Sequence, residues 1–105
     1  MENQPQPTIA ELNDEFRRTT HHDVFITRGV EALEGVPLLI FAVKLFNDFN
    51  PDNDPYGEHD FGAMNWHGTK TFWKIDYYDP GLQQWHDPLS PDCRRILTVM
   101  LAEER

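Results

Sequence analysis

The residues of this chain whose types could do chemistry fall in two short runs: Glu58-His59-Asp60, and Lys74-Ile75-Asp76 with Asp79 close behind. An imidazole titrates near neutrality and a neighbouring carboxylate fixes its tautomer, which is the pairing that general acid–base catalysis uses. His59, Lys74 and Asp76 are therefore the candidate catalytic set of a small acid/base or metal-dependent hydrolase. No activated nucleophile accompanies them, since no serine sits in a strained elbow and the one cysteine, Cys93, lies far along the chain. The same groups also suit an ion-paired network that pins a loop to its surroundings. Such networks imitate active sites, so this structural reading is preferred.

A metal is the next chemistry to weigh. Asp52, Asp54, Glu58, His59 and Asp60 place oxygen and nitrogen ligands within a short span. The calcium-loop pattern fails at Tyr56, where an Asp or Asn should stand, and at Ala63, where its closing glutamate should. Asp and Asn clusters in loops more often bond their own backbone. No metal and no cofactor is expected.

The formal net charge is −9, and between Asp48 and Asp92 only Lys70 and Lys74 oppose the acids. Nucleic-acid binders carry the opposite sign, because Lys and Arg must neutralise phosphates, so direct nucleic-acid binding is not expected. An acidic patch instead attracts a basic protein surface and speeds the encounter. Asp52, Asp54, Glu58, His59, Asp60, Lys74, Asp76, Tyr78, Asp79 and the loop aromatic Trp85 are the candidate binding residues. A single cysteine permits no internal disulfide. The first residues lack the apolar stretch of a secretory signal, and the longest apolar run is far shorter than the roughly 20 residues of a membrane span. A cytoplasmic protein that does not enter membranes is expected.

The elements that must position these residues follow from pattern. A chain of 105 residues with 39% apolar content suits one domain. Residues 1–7 read as a disordered lead-in to a domain over 8–105. Thr8 with Glu11 forms a capping box ahead of Ile9, Leu12 and Phe16, predicting a helix over 8–19. Residues 23–27 read as a short strand. A second helix opens at Gly35-Val36-Pro37, is apolar over much of its circumference and so should be heavily buried, and ends before Asn50-Pro51. Strands over about 59–66 and 69–78 meet at His67-Gly68, a two-residue hairpin turn. Ser90 and Pro91 open a last helix, with Cys93, Ile96, Leu97, Met100 and Leu101 on one face. The expected class is α+β, in the order α-β-α-β-β-α, with a small antiparallel sheet covered on one face by helices.

A tight turn at His67-Gly68 dictates the register. Trp66 faces Thr69, Met64 faces Thr71, and Gly62 faces Trp73, leaving room for the indole. These form the inner side with Ile75 and Tyr77. The outer side carries Phe61 with Lys74, and His59 across from Asp76, followed by Tyr78.

Pro51-Asp52-Asn53-Asp54-Pro55-Tyr56-Gly57-Glu58-His59-Asp60-Phe61-Gly62 and Phe72-Trp73-Lys74-Ile75-Asp76-Tyr77-Tyr78-Asp79 closely resemble the signature stretches of the bacterial family DUF3768. Arg28-Gly29-Val30 and Arg95 to Ala102 resemble its flanking blocks. The resemblance implies no activity, substrate or cofactor. It does imply a setting on mobile elements, among genes that resemble anti-restriction genes. An acidic residue before Gly68 is more typical of the family, so His67 is not expected to be a ligand. Three functions fit: an acidic inhibitor docking on the basic groove of a restriction or CRISPR defence protein, the hydrolase, and a subunit that forms a homodimer through an open sheet edge.

Overall fold

The computed structural model describes residues 5–105, so the first part of the expected lead-in, residues 1–4, lies outside the described residues. Helix α1 spans Ile9–Thr19, and its capping box forms as read: Thr8 Oγ1 accepts the Glu11 N–H at 3.1 Å, and Glu11 accepts the Thr8 N–H at 3.0 Å. Strand β1 is Val24–Ile26, short helix α2 is Arg28–Glu31, and helix α3 is Val36–Lys44. Strands β2 (Phe61–Trp66), β3 (Thr69–Tyr78) and β4 (Arg94–Leu101) follow, and a single 3₁₀ turn closes the chain at Ala102–Glu104. The class is α+β. The four strands lie in the order β1-β4-β3-β2, with β1 parallel to β4 and the other pairs antiparallel.

The hairpin has the expected register throughout, from Trp66↔Thr69 to Phe61↔Lys74. His67 and Gly68 have φ of 51° and 87°, the two positive values of the turn that matches strand twist, and Asn65 Oδ1 accepts the Gly68 N–H at 2.8 Å. Thr71, Trp73, Ile75 and Tyr77 of β3 are buried on the inner side. With Val30, Leu39, Val43, Leu97 and Val99 the apolar members make the core.

Gly62 is the position this core tolerates least change in. A Cβ there would stand 2.3 Å from the Trp73 indole nitrogen and 2.9 Å from Phe46. The indole is fully buried and cannot swing aside. Gly62→Ala is expected to destabilise by about 1–3 kcal/mol through overpacking, seen as a lower urea midpoint with an unchanged slope.

Short helix α2 was not expected, the sheet is mixed where an antiparallel one was expected, and two of the expected elements differ in kind or extent. The last helix expected from Ser90 is strand β4, and Ser90 closes a turn instead, accepting the Cys93 N–H at 3.1 Å. β4 is a central strand whose two faces are both covered: Leu97 and Val99 inward, Ile96 and Met100 outward. Burial on both faces erases the period-two alternation, and the remaining apolar run matches helical spacing by coincidence. Helix α3 also stops earlier than expected and is less buried. Only Leu39 and Val43 are fully buried on it, while Leu38, Phe41 and Leu45 are exposed. Its early end has a cause. Phe46 and Phe49 turn back to pack edge-on against Trp73, with centroids 5.5 and 6.1 Å away. The carbonyls this leaves are taken by an arginine from α1.

Candidate functional site

That arginine is Arg17, fully buried. Its Nε donates to the Val43 carbonyl at 3.1 Å, its Nη2 to the Phe46 carbonyl at 2.7 Å, and its Nη1 to Asp14 at 3.1 Å. It caps α3 from a neighbouring helix, satisfying groups that a helix end otherwise leaves open. Burial lowers the guanidinium pKa, and the Asp14 carboxylate works against that.

The loop between α3 and β2 is built by its own Asx side chains. Asn50 Oδ1 accepts the N–H groups of Asp52 and Asn53, and Asp54 Oδ1 accepts those of Glu58 and His59. His59 then adopts a φ of 56°. This breaks the two-residue period of the incoming strand, and the ladder ends where the Ile75 N–H donates to the Asp60 carbonyl at 2.8 Å. The imidazole is thereby sent to the helix side. It stacks on Phe49 with centroids 3.9 Å apart, places Nδ1 3.0 Å from Asp14 and Nε2 3.6 Å from Asp54. The expected pairing of His59 with Asp76 does not form, and His59, Lys74 and Asp76 do not come together as a catalytic set.

Glu58 joins a second inner network. Asn13 Nδ2 donates to the Glu58 carbonyl and to Tyr77 Oη, each at 2.9 Å, and the Tyr77 hydroxyl donates to Glu58 Oε2 at 2.9 Å. Arg95 Nε donates to Asn13 Oδ1 at 2.6 Å and its Nη2 to the Pro88 carbonyl at 2.8 Å. Burial pushes the Tyr77 phenol well above its ordinary pKa, and the Glu58 carboxylate adds to the shift. The loop is thus fastened to α1, β3 and β4. Sequence reading missed Asn13, Asp14, Arg17, Tyr77 and Arg95 as partners. A signal existed for two of them: Asn13 and Arg17 share the helical face of Ile9, Leu12 and Phe16, so the packed face of α1 had to carry an amide and a guanidinium.

The remaining candidates lie outside this network. Lys74 Nζ pairs with Asp76 at 2.9 Å on the half-exposed outer face, a contact worth about 1 kcal/mol at most. Asp79 Oδ1 accepts the Gln83 N–H at 2.8 Å and shapes the next loop. Asp52 is exposed on its loop. Asp60, Asp76, Tyr78 and Trp85 do meet. They line a cleft of about 370 Å3 whose floor is Ile75 and Tyr77. The cleft is a gap in the sheet. On this edge β3 is bonded to Asp60 below, while above it the Tyr77 carbonyl accepts the His86 N–H at 3.3 Å and Tyr78 bridges to Trp85. Leu82, at φ 58°, turns the loop that carries Trp85, and the indole is 69% exposed. A larger hollow of about 450 Å3 near the turn is lined by Leu33, Glu34, Gly35, Trp66, His67 and Thr69, and gathers none of the candidate residues.

Asp60 gives the cleft its electrostatic character. It is half-buried, and among the described residues no cation lies within ion-pair reach of it. Desolvation raises its pKa, and the charges of Glu58, Asp54 and Asp76 push the same way. A carboxyl whose folded pKa is raised destabilises the folded state above that pKa, and the cost vanishes below the ordinary value of 3.8. Asp60→Asn is therefore expected to raise the melting temperature at neutral pH. The gain should shrink as pH falls to about 4. An equal gain at both ends of a pH series of thermal melts would contradict this electrostatic origin.

Among the described residues no three His, Cys, Asp or Glu side chains are placed to share a metal ion, and no helix is long and apolar enough to cross a membrane. One family model, described as Protein of unknown function (DUF3768), matches residues 26–104. No curated protein and no solved structure matches the chain.

Proposed function

The chain belongs to that DUF3768 family, and on the geometry of its cleft we propose that it is a protein-binding module that takes a basic side chain of its partner between Asp60 and Trp85. The observation that carries this is an unpaired, half-buried carboxyl beside a largely exposed indole. A guanidinium or ammonium entering the cleft neutralises Asp60, with Asp76 and its Lys74 partner at the rim, and lies against Tyr78 and Trp85, whose ring faces attract cations. Arginine suits the site best, since its planar fork can bond carboxylates and stack on an aromatic ring at once. The net charge of −9 extends the attraction beyond the cleft. A basic groove built for a nucleic-acid backbone is the partner surface this charge fits. An inhibitor of a restriction or CRISPR complex would be its specific form.

The test is capture from host extract with the wild-type chain and with a variant carrying Asp60→Lys and Asp76→Lys. The expected partner is basic, is lost by the charge-reversed variant, and is released as salt rises from about 50 mM to about 0.5 M. A partner held equally by both chains, or indifferent to salt, would overturn the reading.

A further inference from the structure

β2 is the outer strand of the sheet, and its free edge lacks the devices that normally keep such edges from pairing. Phe61-Gly62-Ala63-Met64-Asn65-Trp66 contains no charged residue and no proline, and it pairs with β3 without a bulge. The direction of its backbone groups follows from the register. A two-residue turn makes Trp66↔Thr69 a bonded pair, and bonded and non-bonded pairs then alternate down the ladder. The Ile75 N–H reaches the Asp60 carbonyl at 2.8 Å, where this count puts a bonded pair. The N–H and C=O groups of Phe61, Ala63 and Asn65 therefore point away from β3. Among the described residues no backbone bond beyond the β2–β3 ladder reaches them. Three donors and three acceptors in one line, at every second residue, match the backbone of another extended chain.

Charge decides which chain. Copies that each carry −9 repel one another, so the protein's own charge guards this edge against self-pairing. Acids stand at both ends of the strand: exposed Glu34, whose carbonyl takes the Trp66 indole N–H at 3.2 Å, and half-buried Asp60 next to Phe61. Lys70, across from Asn65, lies over the Phe72 ring on the outer face. The edge also leads to the cleft. The ladder with β3 ends at Asp60, and beyond it lies the gap that Asp60, Asp76, Tyr78 and Trp85 line. A strand laid along β2 and continued past Phe61 arrives there.

We propose that the partner binds as an added strand: an extended segment, basic at its ends and neutral between, pairs with the β2 edge and carries an arginine past Phe61 into the cleft. The place of the arginine rests on the reading of the cleft given above, and the strand addition rests on the edge alone. Main-chain bonds to Phe61, Ala63 and Asn65 hold any extended segment, whatever its sequence. Glu34 and Asp60 at the two ends supply the preference for a basic one.

The probe is a blocked peptide of about eight residues, long enough to span β2 and reach the cleft, with arginine at both ends and alternating threonine and valine between. Added to the 15N-labelled full chain, it should slow amide hydrogen exchange at Phe61, Ala63 and Asn65 at least about fivefold. Gly62, Met64 and Trp66, already bonded to β3, should not change. Ala63→Pro removes the middle donor at an edge position whose N–H faces solvent, so the fold is kept and the peptide should bind at least about fivefold more weakly. N-methylation of the peptide at alternate residues makes the same test with the protein unaltered, and one of the two alternate sets should abolish the protection. Protection that never appears, or that falls on all six amides alike, would overturn the proposal even if Trp85 and Asp60 respond to the peptide. Protection that survives Asp60→Asn while Trp85 stays unmoved would uphold strand addition and remove only the cleft. A chain that sediments at twice 12.3 kDa without peptide, its three edge amides already protected, would give the edge to a second copy and overturn the proposal too.

Discussion

Arg17→Ala is expected to cost about 3–5 kcal/mol, the effect of removing one partner from a buried, hydrogen-bonded charge pair. Three groups lose a bond at once: the Phe46 carbonyl just past α3, the Val43 carbonyl, which keeps the Phe46 N–H, and the Asp14 carboxylate. The loss passes on, because Asp14 also holds His59 and through it the loop that carries Asp54 and Glu58. Domains of this size are stable by about 5–15 kcal/mol, so the variant should be partly unfolded at room temperature in mild urea. Arg17→Lys keeps a charge but cannot reach two carbonyls and a carboxylate in one plane, and should fall between the two. Urea titration followed by circular dichroism measures both. A loss below about 1 kcal/mol for Arg17→Ala, the scale of an exposed ion pair, would show that α3 does not depend on this cap.

The largest expected effect on binding belongs to Trp85. Its side chain is 69% exposed and contributes nothing to the hydrophobic core. Its backbone does the local structural work by bridging to Tyr78. Trp85→Ala should therefore leave the melting temperature within about 1–2 °C of wild type. Exposed indoles that become buried against a partner are typical anchors, and truncating one costs about 2 kcal/mol or more, close to thirtyfold in affinity. Titration calorimetry with the captured partner, set beside a thermal melt, reads the two effects separately. Equal binding by the variant would remove Trp85 from the interface.

How far the sequence alone could be read depended on whether the deciding interaction was local. The α1 cap and the β-hairpin were legible because Thr8 with Glu11, and His67 with Gly68, act within a few residues of themselves. Gly62 opposite Trp73 then followed from counting back from the turn. Strand β4 was not legible. Its place between β1 and β3 is decided by pairings with residues far away in the chain, and its doubly buried pattern resembles a helical stripe. Helix α3 was misjudged in length and burial for a similar reason, since its end is set by Arg17 rather than by Asn50-Pro51. At the candidate site one backbone angle separates expectation from structure. Strict alternation would put His59 outside with Asp76, but a left-handed φ turns it inward to Phe49 and Asp14. Of the candidate binding residues, Asp60, Asp76, Tyr78 and Trp85 are the ones that line a common cleft, although strict alternation would have put Asp60 on the inner side with Ile75.

The claim that this cleft holds a cationic side chain can be tested without knowing the partner. Titrating acetyl-arginine-amide into the 15N-labelled chain should move the Trp85 indole and the Tyr78 and Asp60 amides, and Asp60→Asn should abolish the response. Shifts scattered over all the exposed carboxylates with no preference for Trp85, or a response that survives Asp60→Asn, would mean that the cleft is only one part of a generally acidic surface.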